Sequence, residues 1–297
     1  MSWSRNGLLL MLASNVLFGL LPITVKWANH DGYGAAQVTF FRFCVSLLGV
    51  VVLAGVGGQK LQVTKLEPLL WRGFFGGLAV LIYFVTLELT TAAKATLLHY
   101  TYTIWANVYA VALGRSRPPR GFGGILALAL VGLWLVLGVR LDRLVFGDAV
   151  GVLSGMTGGA AVLAIKEARR TENAVSTFAV FALSGWIFAG ITLLVGPRAG
   201  FPAFGHWTSI DGRGFTVLLA MGVLSTAGQL LFTQGYGYTS LAMGTVLSLL
   251  VPVLAALFGW LLLEESLTPG LLSGTALVLV ACWLLDRREG QLEPETP

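Results

Sequence analysis

The chain reads as long apolar runs separated by short breaks that carry charge, glycine, proline or polar turn residues. Bilayer hydrocarbon about 30 Å thick takes roughly 20 apolar residues in helical form, so each run of that length reads as a membrane span. Ten spans are predicted, at 7–28, 34–56, 69–89, 93–113, 121–138, 147–166, 176–196, 213–235, 241–262 and 269–286. The first follows Arg5 as a signal peptide would, but it is too long for one and reaches Lys26 without a small-residue cleavage site. It is helix one.

Composition agrees. Of 297 residues, 56% are apolar or aromatic and 11% charged, and the mean hydropathy is +0.81. A soluble domain carries about 25% charged residues, so 19 basic and 14 acidic side chains cannot cover a soluble surface of this size. The solvent is lipid. Cys44 and Cys282 both lie inside apolar runs and make no disulfide framework. The net charge of +5 is scattered between spans, forms no basic face and excludes nucleic acid as a partner.

Placement of Lys and Arg predicts orientation, because translocated loops are depleted in positive charge. With the N-terminus inside, the cytoplasmic set is Arg5, Lys60, Lys65, Arg72, Arg115, Arg117, Arg120, Lys166, Arg169, Arg170, Arg287 and Arg288. The opposite set is half as large: Lys26, Lys94, Arg140, Arg143, Arg198 and Arg213. Both termini are predicted cytoplasmic. Trp3, Trp27, Trp71, Trp134, Trp260 and Trp283 fall near span ends, as an interfacial aromatic belt requires.

The chain also repeats itself. Laying Thr90 on Thr239 makes 13 of 46 positions identical between 90–135 and 239–284, including Thr96/Thr245, Ala106/Ala255, Gly121/Gly270 and Trp134/Trp283. Chance in so apolar a chain gives roughly a tenth. The first two helices of each half match more weakly at an offset of 140, through Gly19/Gly159, Lys26/Lys166, Ala28/Ala168 and Phe41/Phe181, which implies a longer loop near 197–212. Five helices per half is odd, so the halves enter the membrane from opposite sides. The expected fold is an all-α integral membrane protein of ten transmembrane helices, two inverted five-helix repeats around a central cavity. Residues 1–140 form the first repeat, 147–286 the second, and 287–297 a polar cytoplasmic tail.

Two stretches then resemble a known family. The run from Tyr238-Thr-Ser-Leu-Ala through Pro252-Val to Leu262-Leu-Glu-Glu-Ser-Leu-Thr268, with the apolar last helix, resembles the end of an EamA-type repeat of the drug/metabolite transporter superfamily. Phe18-Gly19 with Lys26, then Arg42-Phe43, is similar to the opening of such a repeat. The first half departs from the pattern, with Thr103 in place of the motif's proline and Arg115 in place of its glutamate. The resemblance covers essentially the whole chain and implies a ten-helix secondary transporter of the bacterial inner membrane. Within the superfamily the chain is most similar to bacterial aromatic amino acid exporters.

Polar side chains inside spans should face a cavity or another helix, since facing lipid is unfavourable. On helix four, Thr96, His99, Tyr100, Thr103 and Asn107 fall within an arc of about 100°. Its partner, helix nine, keeps Thr245 and Ser248 and then turns apolar. Helix eight offers Ser225, Gln229, Phe232 and Tyr236, helix three Tyr83, and helix one Asn15 and Lys26. The predicted substrate-binding set is Asn15, Tyr83, Thr96, His99, Tyr100, Thr103, Gln229, Phe232, Tyr236 and Ser248. For each of these, a plain interhelical hydrogen bond is the competing reading. Helices five and ten carry no such stripe and are expected at the periphery.

Charges near the site are few. Arg42 lies some eight residues inside helix two and either snorkels or meets a substrate carboxylate. Glu88 and Lys94 flank the turn between helices three and four and are expected to pair, while Lys26 and Lys166 complement helix C-termini. Helix six carries Gly147, Gly151, Gly155 and Gly159, a smooth ridge for close packing or for sliding. No Asp or Glu lies at mid-depth, and His99 is the one predicted intramembrane histidine, a neutral hydrogen bonder or a proton relay.

No catalytic motif, phosphate-binding loop or Cys/His metal spacing occurs, so no enzyme, cofactor or metal is expected. The reading is a secondary transporter exporting small metabolites, with neutral and aromatic amino acids first, passive or weakly proton-coupled. Export of another metabolite or drug, or a membrane receptor or scaffold without transport, are the alternatives. The partners are a small-molecule substrate and the lipid bilayer. The oligomeric state is unreadable, and a monomer fits.

Overall fold

The computed structural model of the chain describes residues 5–290 apart from 56, 59, 141, 142, 202, 203, 205 and 206. They form α1 (Arg5–His30), α2 (Ala35–Gly55), α3 (Leu66–Leu89), α4 (Ala92–Tyr100), α5 (Tyr102–Ala112), α6 (Phe122–Leu137), α7 (Phe146–Ala168), α8 (Ala174–Val195), α9 (Gly212–Gly235), α10 (Leu241–Ser248), α11 (Leu250–Leu263) and α12 (Pro269–Gly290). No strand occurs among the described residues. The ten predicted spans are all present as helix, and two of them are divided: α4 and α5 make span four, α10 and α11 span nine.

Side-chain oxygens start several helices. Thr91 accepts from the Lys94 N–H at the head of α4, and its repeat equivalent Ser240 accepts from Met243 N–H at the head of α10. Asn173 and Asp211 do the same for α8 and α9, supplying one of the acceptors that a helix N-terminus lacks. Glu172, buried in the α7–α8 turn, accepts from the backbone N–H groups of Thr64 (2.9 Å) and Lys65 (2.6 Å), where α3 begins. Burial opposes its charged form, but these bonds and the Thr171 hydroxyl outweigh it and hold the carboxyl below its ordinary value.

Three boundaries differ from expectation. Arg72, counted with the cytoplasmic loop, lies within α3 and is only 3% exposed, because the helix starts at Leu66 rather than 69. Residues 287–290 of the predicted tail continue α12, and 291–297 fall outside the described residues, as does Trp3. In the 197–212 connection, Gly196–Ala199 make one 3-10 turn.

The helices pack as two bodies related residue by residue. In one, α3 packs on α7 and α8, and α4 and α5 pack on α7; in the other, α9 packs on α1 and α2, and α10 and α11 pack on α1. The α2–α8 contact joins the bodies, and α6 pairs with α12. The glycines fix the register. A Cβ on Gly159 would lie 2.6 Å from that of Trp105, and one on Gly19 would lie 2.7 Å from that of Leu254, the repeat equivalent of Trp105. Gly147 against Leu89 and Gly7 against Tyr238 form the same kind of matched pair. The fold is therefore an inverted repeat of two five-span halves. Trp134 and Trp283, on the peripheral pair, are 39% and 50% exposed.

Candidate functional site

Span four breaks at Thr101, where the backbone N–H bonds to Leu98 O (3.2 Å), three residues back, instead of four. The Thr101 hydroxyl donates to the same carbonyl and the Thr103 hydroxyl to Tyr100 O (2.9 Å), so the two threonines take up the carbonyls that a bend releases. Span nine tightens in the same way at Leu249, whose N–H reaches Val246 O. There the cause is Pro252, which has no N–H for Ser248 O and crowds it. Discontinuous spans at matching places in inverted halves mark the binding region of many transporters.

Around the first break four rings gather. The His99 ring lies 4.8 Å from Tyr83, 6.0 Å from Tyr100 and 5.6 Å from Tyr102, and Tyr100 and Tyr102 are 5.5 Å apart. His99 Nδ1 is 2.8 Å from Ser154 Oγ on α7, and the Tyr83 hydroxyl is 3.3 Å from that of Thr96. Gly155 leaves the room: a Cβ there would strike Thr101 Oγ1 and Leu98 O. The ridge on α7 thus seats the break of span four. It is pinned at both ends, by Lys94–Asp148 (3.6 Å) and Arg115–Glu167 (3.6 Å), and this is the geometry of a fixed seam.

The two bodies meet along a second, closed seam. Tyr102 donates to Ser248 Oγ (2.5 Å), and Asn107 donates to Thr245 Oγ1 (3.0 Å). Asn15 donates to Leu247 O (2.8 Å), while its own Oδ1 is buried without a partner. Phe232 and Tyr236 stack edge to face at 4.9 Å, and Tyr236 is fully buried against Gly244.

The predicted site residues consequently fall into two groups. Tyr83, Thr96, His99, Tyr100 and Gln229 are half-exposed, and the Gln229 amide and Tyr100 hydroxyl have no hydrogen-bond partner among the described residues. Thr103 and Ser248 are buried at the closed seam, and Asn15, Phe232 and Tyr236 are buried inside the α1–α9–α10 body. Tyr102 and Ser154 bond into these seams without having been singled out, and Thr245, named on the stripe of helix nine as the repeat equivalent of Thr96, was left out of the substrate-binding set.

The charged expectations change more. Lys94 pairs with Asp148 and donates to Arg143 O (2.7 Å), so the Glu88–Lys94 pair is absent because α7 brings its first turn within reach. Glu88 is exposed and lines, with Lys94 and Arg143, a shallow pocket of about 380 Å³ at that mouth. A second, apolar crevice of about 560 Å³ lies between Asn107 and Val111 of α5 and Phe122 and Leu126 of α6. Lys26 pairs with Glu265, whereas Lys166 donates to Tyr236 O (2.9 Å) at the end of α9. Only Lys166 meets helix-terminal carbonyls. Arg42 neither snorkels onto the lipid face nor pairs; that face of α2 is Leu48, Val51 and Val52.

The repeat is broken in one respect. α5 packs on α10, but the equivalent pair α4 and α11 makes no comparable contact. The bodies therefore touch through α10 and not comparably through α4.

The model of the EamA-like transporter family matches the chain twice, over residues 5–138 and 145–286. The pseudopaline exporter CntI of Pseudomonas aeruginosa is 25% identical over 288 residues, covering 95% of this chain and 96% of its own. The threonine/homoserine exporter RhtA of Escherichia coli is 28% identical over 287 residues, covering 88% and 85%. A solved crystal structure superposes with a TM-score of 0.80 at 17% identity over 98% of this chain and 100% of that one, a likeness of fold alone. With both repeats matched over nearly their full length, the chain belongs to the EamA-like transporter family and is a multi-pass membrane protein.

Proposed function

We propose that the protein exports small amino acids or amino-acid-like metabolites across the inner membrane by alternating access, and that the described structure is its outward-open state. The observation that carries this is the asymmetry between the bodies, packed together along α10 and not comparably along α4. The α4 side carries the Tyr83, His99 and Tyr100 cluster, whose aromatic faces and neutral hydrogen-bonding groups suit an apolar or aromatic side chain. Among the described residues no carboxylate lies at mid-depth, and His99 is engaged by Ser154. Movement is then passive or weakly proton-coupled. The outward assignment rests on the loop charges, with both termini cytoplasmic.

Purified protein in liposomes, loaded with labelled leucine, phenylalanine or threonine, tests the reading. Accelerated efflux of these solutes, competed by one another and not by nucleosides or organic cations, is expected. Strict preference for organic cations would overturn it in favour of drug export, and absence of any solute flux would favour a receptor or scaffold. Reporter fusions in the 57–68 and 197–212 connections should fall on opposite sides, inside and outside respectively.

A further inference from the structure

Two guanidinium groups lie within spans without a carboxylate partner among the described residues. Arg42 lies on the interior arc of α2 with Thr39 and Ser46, between the row that meets α8 and the row that meets α9. Arg72 lies on the interior arc of α3 with Gly76 and Tyr83, away from the lipid face of Leu70 and Phe74. Neither forms an ion pair among the described residues, and the Nε of each is buried without a hydrogen-bond partner. Each guanidinium instead faces a ring: Arg42 Cζ is 4.8 Å from the centroid of Phe43, and Arg72 Cζ 4.0 Å from that of Phe181.

Those two rings touch one another, edge to face, with centroids 5.3 Å apart. Phe43 belongs to the α1–α2–α9 body and Phe181 to the α3–α7–α8 body, so the contact crosses the α2–α8 junction. It is a built arrangement. Gly185 has no Cβ where the Phe43 ring lies, and Gly76 none where Arg72 and Phe181 lie. The Arg42 side chain is partly accessible although its Nε is buried, while Arg72 is 3% exposed.

A guanidinium at membrane depth demands a partner, and ring faces replace only part of its lost hydration. The planar fork of donors is matched best by a carboxylate. We propose that the transported substrate carries a carboxylate, that Arg42 receives it on the open side, and that Arg72 receives it once the Phe43–Phe181 contact parts. This rests on the transporter reading above. One cation in each body lets the same anionic group be held in either state, with the aromatic contact as the barrier between the two stations.

The test compares leucine with leucinamide, which keeps the side chain and loses the carboxylate, in liposomes bearing wild type, R42Q or R72Q. Wild type should prefer leucine by at least about tenfold, and either variant should bring the preference near one chiefly by loss of leucine flux. An unchanged preference in either folded variant overturns the proposal. If R72Q gives no folded protein, R72K takes its place: it keeps the charge and loses the fork, so a severalfold drop in preference is expected and full retention is fatal. Thermal melting with benzoate against benzamide separates this proposal from the amino acid reading. Stabilisation by benzoate alone, abolished in R42Q, supports the carboxylate site even if no amino acid moves. Equal response to both ligands overturns it even if leucine is transported.

Discussion

α4 and α10 are the same segment of the repeat, and they live in different surroundings. Of the nine residues of α4 only Ala95 is buried, whereas all eight of α10 are buried. Both begin at a hydroxyl cap and both end at a one-residue tightening, so local sequence does not explain the difference. The partner across the molecule does: α10 has closed on α5, and α4 stands apart from α11. Two like halves packed to different degrees are what the proposed alternating-access reading expects.

The strongest test of the comparison is a pair of tyrosines. Tyr236→Ala, which empties a fully buried ring site beside Gly244, should lower the unfolding free energy by about 3–5 kcal/mol. Tyr100→Ala, at the half-exposed edge of α4, should cost about 1 kcal/mol and weaken transport more than stability. Thermal melts in detergent beside flux measurements separate them, and equal losses would contradict the open side. In a background with Cys44 and Cys282 changed to Ala, a cysteine at Thr96 should react with a membrane-impermeant maleimide at least about tenfold faster than one at Thr245. The reverse order would mean that the α4 side is the closed one.

A smaller effect concerns how each break is seated. Gly155→Ala pushes a methyl into Thr101 and Leu98 and should cost about 1–3 kcal/mol, whereas Asn15, at the equivalent place on α1, holds the other break by a hydrogen bond to Leu247 O. Asn15→Ala, which removes that bond, should cost about 1–3 kcal/mol, and the two losses should add in the double variant on thermal melting.

Next comes Glu172, which ties the start of α3 to the α7–α8 turn. Its carboxyl is held low in the folded protein, so its contribution is complete at neutral pH and is lost as pH falls through that lowered value. Glu172→Gln should reduce stability by about 1–2 kcal/mol at pH 7, and the gap to wild type should narrow in acid. The smallest effect is expected for Lys26→Ala, because its pair with Glu265 is about half exposed on both sides and is worth about 0–1 kcal/mol.

Much of the fold was legible because lipid leaves few choices: an apolar run must be a helix, and the ten runs differ from the observed helices by a few residues at each end. The repeat was legible because identities such as Trp134/Trp283 survive at one offset. The site was harder. Counting 100° per residue through span four assumes an unbroken helix, but the tightening at Thr101 turns Tyr102 toward Ser248, off the predicted stripe. Arg72 was misread because a charge in the first two turns of a helix looks, in sequence, like the end of a loop. Burial of Tyr236 was not readable at all, since it depends on which body is closed.

The peripheral helix α6 carries a last consequence. It has 16 residues and ends where Gly138 turns left-handed, with the Trp134 indole donating to Val139 O (2.8 Å). At 1.5 Å per residue it spans about 24 Å, short of the roughly 30 Å of bilayer hydrocarbon, while Val131 and Trp134 face outward. A span this short is met by thinning of the lipid beside it or by the reach of its flanking residues. That mismatch falls on one edge of the molecule only, so bilayer thickness acts there as a lateral force on the α6–α12 pair, and flux should rise in membranes of shorter acyl chains.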